Sequence, residues 1–340
     1  MPLRARQKPP VVNHRFVLLA IAVALLVPPA ARAETPAAFG APSADFAPWG
    51  GAGRLAALGA TSYSHHGPLE AAPARNFIWK ATGKLGVVYL VGSVHVLTKD
   101  FYPLSPTLET AYKQSDLLVE EVDLGDMQEP GAQFQMLSRG MLPSNQSLDN
   151  LVSPATFAAV SKRFADIGMP IEPLKRFKPW LAALTLMAME WQKAGFDAEL
   201  GLDKHFYDRA KADGKNVEGL ETIDYQLARF DEMSAELQDR LLVETLKGID
   251  TEQANMTKLV ESWRAGDAAA VERIVLKDLE QEAQLYQRLL VERNKNWLPK
   301  LEALFARKAS AFVVVGAAHL VGPDGLVAML KAKGYTVEQQ

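Results

Sequence analysis

Val88-Tyr-Leu-Val-Gly-Ser-Val-His95 and, near the other end of the chain, Phe312-Val-Val-Val-Gly-Ala-Ala-His319 share one design. Each is an apolar, β-branched run that breaks at glycine and places a histidine three residues later. A run that is apolar without alternation suits a strand buried on both faces, as in a parallel sheet covered by helices. Glycine lets the backbone turn or approach another group closely where the strand stops. In open parallel sheets, ligands bind beyond the carboxyl ends of the strands. The two histidines are therefore expected to face one crevice.

Around the first segment, order begins at Phe77-Ile78-Trp79-Lys80, turns at Gly83, and runs on through Gly86 to Val91. Ser105 followed by Pro106 supplies an N-cap and first-turn pair for a helix to about Gln114. Asp116-Leu-Leu-Val-Glu-Glu-Val122 reads as a second buried strand, so strand, helix and strand imply a parallel crossover. Glu120 and Glu121 end that strand at the histidine-bearing edge. Around the second segment, a helix is expected over about Gly325 to Lys333, and Tyr335-Thr-Val-Glu338 reads as an edge strand.

Between these ends the sequence is helical. Ser153-Pro154, Pro170, Pro173, Pro179, Gly214 and Ser234 punctuate several helices, and Thr251 to about Arg307 is helical and charged. Lys215-Asn-Val-Glu-Gly-Leu-Glu221 interrupts them as a third strand whose end carries Glu221. The expected fold is α/β: a mostly parallel central sheet built from both ends of the chain, flanked by helices, with a large helical insert over about residues 150–305.

Composition narrows the chemistry. The 340 residues, 48% hydrophobic and 8% aromatic, suffice for a substantial core. Absence of cysteine removes disulfides, thiol nucleophiles and CxxC zinc sites, so any metal must be held by His, Asp or Glu. Residues 1–33 follow the plan of a signal peptide: Arg4, Arg6, Lys8 and Arg15, an apolar run from Phe16 to Val27, then Ala31-Arg32-Ala33. That run falls short of the roughly 18 to 20 residues that span a bilayer. Cleavage near Ala33 and a periplasmic or secreted product, with no stable membrane span, are expected. Residues 34–74 are rich in Ala, Gly, Pro and Ser and read as a flexible leader, with His65 and His66 solvated within it. The body of the domain is expected over 75–340. Without the five basic residues of residues 1–33, 32 basic face 40 acidic side chains, a formal charge of −8 that argues against nucleic acid as a partner.

Taken together, Gly92-Ser-Val-His95, Glu121-Val-Asp-Leu124, Gly219-Leu-Glu221, Glu292-Arg-Asn294 and Gly316-Ala-Ala-His319 resemble the TraB/GumN family and the related Tiki metalloproteases. The resemblance covers roughly residues 77 to 338. It implies an active centre of His95, His319 and Glu121, with Glu120 as the alternative acid because the doubled glutamate leaves the register open by one. Two imidazoles and a carboxylate make an open three-ligand site for Mn, Co, Zn or Fe, with a position left for water or a substrate carbonyl. Arg293 and Glu221 are further catalytic candidates, Arg293 to stabilise an oxyanion or hold a carboxylate. The bland readings are a surface ion pair for Arg293 and a helix-start acid for Glu221. His205 reads as a structural histidine, and the Trp180, Leu181, Leu184, Met187, Trp191 stripe as core. The expected activity is metal-dependent hydrolysis of a peptide or envelope-derived substrate. The rivals are a non-catalytic peptide- or metal-binding protein and an accessory factor in envelope or exopolysaccharide biogenesis.

From the charged, apolar and small-residue zones of residues 1–33, protein recovered from the periplasm is expected to begin at or near Glu34. N-terminal sequencing checks it, and an intact Met1 on a membrane-bound product overturns it.

Overall fold

The structure, a computed structural model, describes residues 75–276 and 279–340. Residues 1–74, which hold the expected signal peptide, the expected leader and the His65-His66 pair, lie outside the described residues. No helix among the described residues is long and apolar enough to cross a membrane.

Six strands form one mixed sheet: β1 Ile78–Thr82, β2 Val87–Ser93, β3 Leu117–Glu120, β4 Asn216–Gly219, β5 Ser310–Gly316 and β6 Thr336–Gln339. Their order is β4-β3-β5-β2-β1-β6. β4, β3, β5 and β2 run parallel, while β1 pairs antiparallel with both β2 and β6. The sheet is thus built from both ends of the chain, as its two matching segments imply.

One feature of the order differs from the simplest expectation. β2 and β3 are joined by the helix Pro106–Lys113, yet β5 lies between them and pairs with each. Burial accounts for the exchange. Ala311-Phe-Val-Val-Val-Gly316 is buried at every position, and a strand apolar on both faces belongs where both faces are covered.

Helix starts follow the local chemistry. Ser105, Ser153 and Ser234 each accept a hydrogen bond from the backbone N–H three residues on. Pro106, Pro154 and Pro179 occupy first turns, where their missing N–H costs nothing. The tryptophan stripe is core: Trp180 and Trp191 are almost fully buried in the helix Pro179–Lys193, which packs on the helix Ala235–Arg264. The mid-chain helices are not simply an appendage to the sheet, because β4 arises among them and pairs with β3.

Two glycines are required by close approach. A Cβ on Gly92 would lie 2.2 Å from the ring of Phe77, itself fully buried against Trp79. Trp263 clamps the same spot from outside, donating its indole N–H to the Gly92 carbonyl at 2.6 Å. A Cβ on Gly201 would lie 2.2 Å from the His95 carbonyl oxygen. With glycine there, the helix Leu202–Ala212 starts directly against the loop after β2, and Leu202 N–H donates to the Val94 carbonyl.

Gly92→Val should therefore destabilise by about 1–3 kcal/mol, the usual cost of overpacking a well-filled core. Urea denaturation measures it. A variant as stable as the natural chain would mean that Phe77 does not define this corner.

Candidate functional site

The four parallel strands each deliver one side chain to the same edge. In sheet order, β4 leads to Glu221, β3 to Glu121, β5 to His319 and β2 to His95. The β3–β4 pairing continues past the strands, because Leu220 and Glu221 N–H donate to the carbonyls of Glu120 and Glu121, both at 2.8 Å. That continuation sets Glu221 beside Glu121. His319 closes a short 3₁₀ turn, Ala317–His319, and lies 3.9 Å from Glu121 by the nearest nitrogen and oxygen. His95 is near enough for its charge to act on both Glu121 and His319.

Arg293 binds three of the four. A helical run over Ala283–Phe305 opens into a π-helical turn at Gln287–Val291, an irregularity that recurs at functional sites, and Arg293 lies two residues beyond its end. Its Nη1 donates to His319 Nε2 at 3.0 Å and to the Leu289 carbonyl at 3.4 Å. Nη2 donates to Glu121 Oε2 at 2.5 Å and to Glu221 Oε1 at 2.6 Å, while Nε faces the Glu221 carboxylate at 3.0 and 3.2 Å. All five N–H donors of the guanidinium thus have partners. A buried charge needs that: stranding one partner of a buried ion pair costs several kcal/mol.

Each imidazole is oriented by a second residue. His95 Nδ1 donates to Asp203 Oδ1 at 3.0 Å, and Ser93 Oγ donates to the same oxygen at 2.7 Å. His319 Nδ1 meets Asn294 Oδ1 at 2.6 Å, while the Asn294 amide nitrogen faces the carbonyls of His319 and Asp324. Two carbonyls demand the NH₂ on that side, so Nδ1 of His319 carries the proton and Nε2 is left as the acceptor. His95 Nε2 is buried and has no hydrogen-bond partner. Glu121 accepts further bonds from Gly316 N–H at 2.7 Å and Gln226 Nε2 at 3.3 Å.

Protonation follows these contacts. Burial disfavours charge on Glu121, but Arg293 and then the two imidazoles draw its pKa down to about 2. Burial and then the neighbouring guanidinium push His319 down to about 3, so its ring is neutral at pH 7. Burial also opposes charge on His95, yet Asp203, through charge and hydrogen bond, carries its pKa above the ordinary value.

The doubled acid separates here. Glu121 turns to Arg293 and His319. Glu120 turns toward the helix Leu202–Ala212, where burial and then Asp203 raise its pKa well above the ordinary value. Glu221 accepts from Arg293 and from Trp297 Nε1 at 2.9 Å, so its carboxylate is occupied by donors. Arg293 is 2% exposed and is no surface ion pair. His205 is partly buried between Tyr102 and Phe206, with ring centroids at 5.0 and 5.1 Å, and burial lowers its pKa.

Sequence reasoning overlooked Asp203, Gln226 and Trp297. An acid in a helix's first turn ordinarily needs no explanation beyond the helix dipole, which hid Asp203. Trp297 lies one turn after Arg293, and that spacing was its available signal: the guanidinium carbon sits 4.6 Å from the indole centroid. The donor chemistry fits a divalent cation, since two oriented imidazoles and a carboxylate share one edge and His95 Nε2 is unused. As the side chains stand, no group of three or more His, Asp or Glu among the described residues is gathered to hold a metal ion. Arg293 instead takes the free positions of Glu121 and His319.

Comparison with known proteins agrees with the motifs. Uncharacterized protein YbaP of Escherichia coli (strain K12) is 29% identical over 246 residues, covering 72% of this chain and 87% of that protein. An uncharacterized protein of Treponema pallidum (strain Nichols) is 22% identical over 270 residues, covering 75% and 80%. No solved structure matches the chain significantly. The profile of the TraB/PrgY/gumN family matches residues 77–339, a span holding His95, Glu121, Glu221, Arg293 and His319, and the chain belongs to that family.

Proposed function

We propose that the protein is an exported metal-dependent hydrolase, a peptidase acting on peptides or envelope-derived substrates, with His95, His319 and Glu121 as the residues that hold the metal. One observation carries this reading: His95 Nε2 is buried without a partner while its Nδ1 is anchored on Asp203. A buried ring nitrogen that forgoes every protein hydrogen bond is costly unless another group uses it. Carboxylate and amide partners on the far ring nitrogens are the usual support of metal-ligating histidines.

A divalent cation held there would supply Lewis-acid polarisation of an acyl carbonyl and an activated water. The chain's own groups would do the rest. Asp203 and Asn294 keep both imidazoles turned with Nε2 toward the shared edge. Glu121, held anionic by its surroundings, offers negative charge to a cation or accepts a proton. Arg293 is a fixed positive charge beside them, suited to an oxyanion or a substrate carboxylate. The second reading is a periplasmic binding protein without turnover. The contacts of Arg293 with Glu121 and His319 favour it, because they occupy two of the three proposed ligands.

Loss of His95 or His319 by substitution with alanine, and Glu121→Gln, should each abolish metal-dependent peptide cleavage and deplete bound metal. Elemental analysis beside a peptide-library assay checks both. If Glu121→Gln keeps its metal yet loses turnover, the glutamate serves as general base; if all three variants keep wild-type metal and activity, the site is misassigned. Metal bound with no cleavage of any peptide favours the binding protein.

Asp203→Asn acts one step removed. It should weaken metal affinity about 10- to 100-fold, the usual effect of losing a carboxylate behind a ligating histidine. Titration calorimetry measures it, and unchanged affinity would detach His95 from the metal site.

A further inference from the structure

We infer that Arg293 is a latch that competes with the cation for its seat, and that Glu221 is the anchor that keeps the displaced arginine at the rim. The inference rests on the metal reading above and adds to it what Arg293 does when a cation binds.

The geometry divides the guanidinium into two edges. Nε and Nη2 face Glu221, at 3.0 and 2.6 Å to Oε1. Nη1 and Nη2 face His319 Nε2 at 3.0 Å and Glu121 Oε2 at 2.5 Å. A lone pair that accepts an N–H cannot also coordinate a metal. His319 Nε2 has a single lone pair, so cation entry must break its contact with Nη1, and at Glu121 the cation competes with Nη2 for the same carboxylate, while the contacts on the first edge need not break. Glu221 makes no hydrogen bond or ion pair with either histidine, and its other oxygen is tied to Trp297 Nε1 at 2.9 Å. Trp297 belongs to the same helix as Arg293 and supports the guanidinium carbon at 4.6 Å. Arg293 can therefore release Glu121 and His319 without losing its second carboxylate or its aromatic support.

Charge favours an exchange over simple addition. The buried cluster holds one guanidinium and two carboxylates, so Glu121 is satisfied while Arg293 is home. Removing that partner without replacement would strand a buried carboxylate, and an arriving cation is the replacement.

The test compares Zn²⁺ binding to the natural chain and to Arg293→Lys, after stripping with chelator. Lysine keeps the positive charge but lacks the planar fork that reaches Glu221, Glu121 and His319 together. Competition for the seat predicts Zn²⁺ affinity about tenfold tighter in the lysine variant by calorimetry. It also predicts a lower melting temperature without metal that Zn²⁺ restores. A purely electrostatic role for Arg293 predicts no change in affinity, and that result, in a variant that melts cooperatively, overturns the latch alone. If neither protein binds Zn²⁺, the latch and the metal reading fall together.

Should the lysine variant not fold, the natural chain with ¹⁵N-labelled arginine decides. Zn²⁺ should move the Arg293 Nη resonances while the Nε–H signal, held by Glu221, persists. Zn²⁺ binding with the Nη signals unmoved overturns the proposal.

Discussion

Glu121 and Glu221 are carried to adjacent strand ends by the β3–β4 pairing and its backbone continuation, and two buried carboxylates cannot both stay ionised in such a place without a cation. Arg293 is the cation present, and its five donors are all used. Much of the arrangement follows from that need. The arginine arrives on a helix, whose fixed backbone lowers the entropy lost in holding a planar fork to three partners. The helical run over Ala283–Phe305 meets the need, with Arg293, Asn294 and Trp297 buried together just past its π-helical turn. One helix thereby neutralises the acids, orients His319 and supports its own arginine.

The second histidine is served from a different element. Asp203 lies in the first turn of the helix Leu202–Ala212, which docks through Gly201 against the His95 backbone. Each imidazole thus has its own rigid support, and neither depends on a mobile loop. Both supporting helices come from the mid-chain region between β3 and β5, which also supplies β4. The strands bring His95, Glu121 and His319 to one edge; the intervening helices determine how those groups are charged and turned.

This division also decides what could be read from the sequence. A strand buried on both faces must be apolar throughout, so β2 and β5 announce themselves, and the glycine and histidine that follow mark the functional edge. Sheet order is less visible. Chain connectivity pairs β2 with β3 as neighbours, but the deepest strand, β5, lies between them for reasons of burial that act only once helices cover both faces. Glu120 and Glu121 are indistinguishable as letters; strand alternation separates them, and only when the strand's end is known to the residue. Asp203 looks like any acid at a helix start, and Arg293 like any basic residue in a charged helix. Their roles come from tertiary contacts with residues far away in sequence, for which a short motif carries no signal.

The two imidazoles are also left in unequal electrical states, and the inequality bears on how such a site can work. His95 faces a carboxylate and is drawn toward its charged form, whereas His319 faces a guanidinium and a carboxamide and is held neutral. Had Asp203 and Asn294 been exchanged, His319 would carry both a carboxylate behind it and Arg293 before it, and His95 would have neither. As built, the ring beside the fixed cation has the neutral support, so it can accept an N–H from Arg293 without competing for the proton. The ring with the carboxylate support keeps its Nε2 free, and a carboxylate behind an imidazole makes that nitrogen the more basic of the two. The edge of the sheet therefore holds one buried, unpartnered nitrogen beside one already engaged. Of the two rings, His95 is the one whose Nε2 no protein group already uses, whereas at His319 and Glu121 any newcomer must contest Arg293.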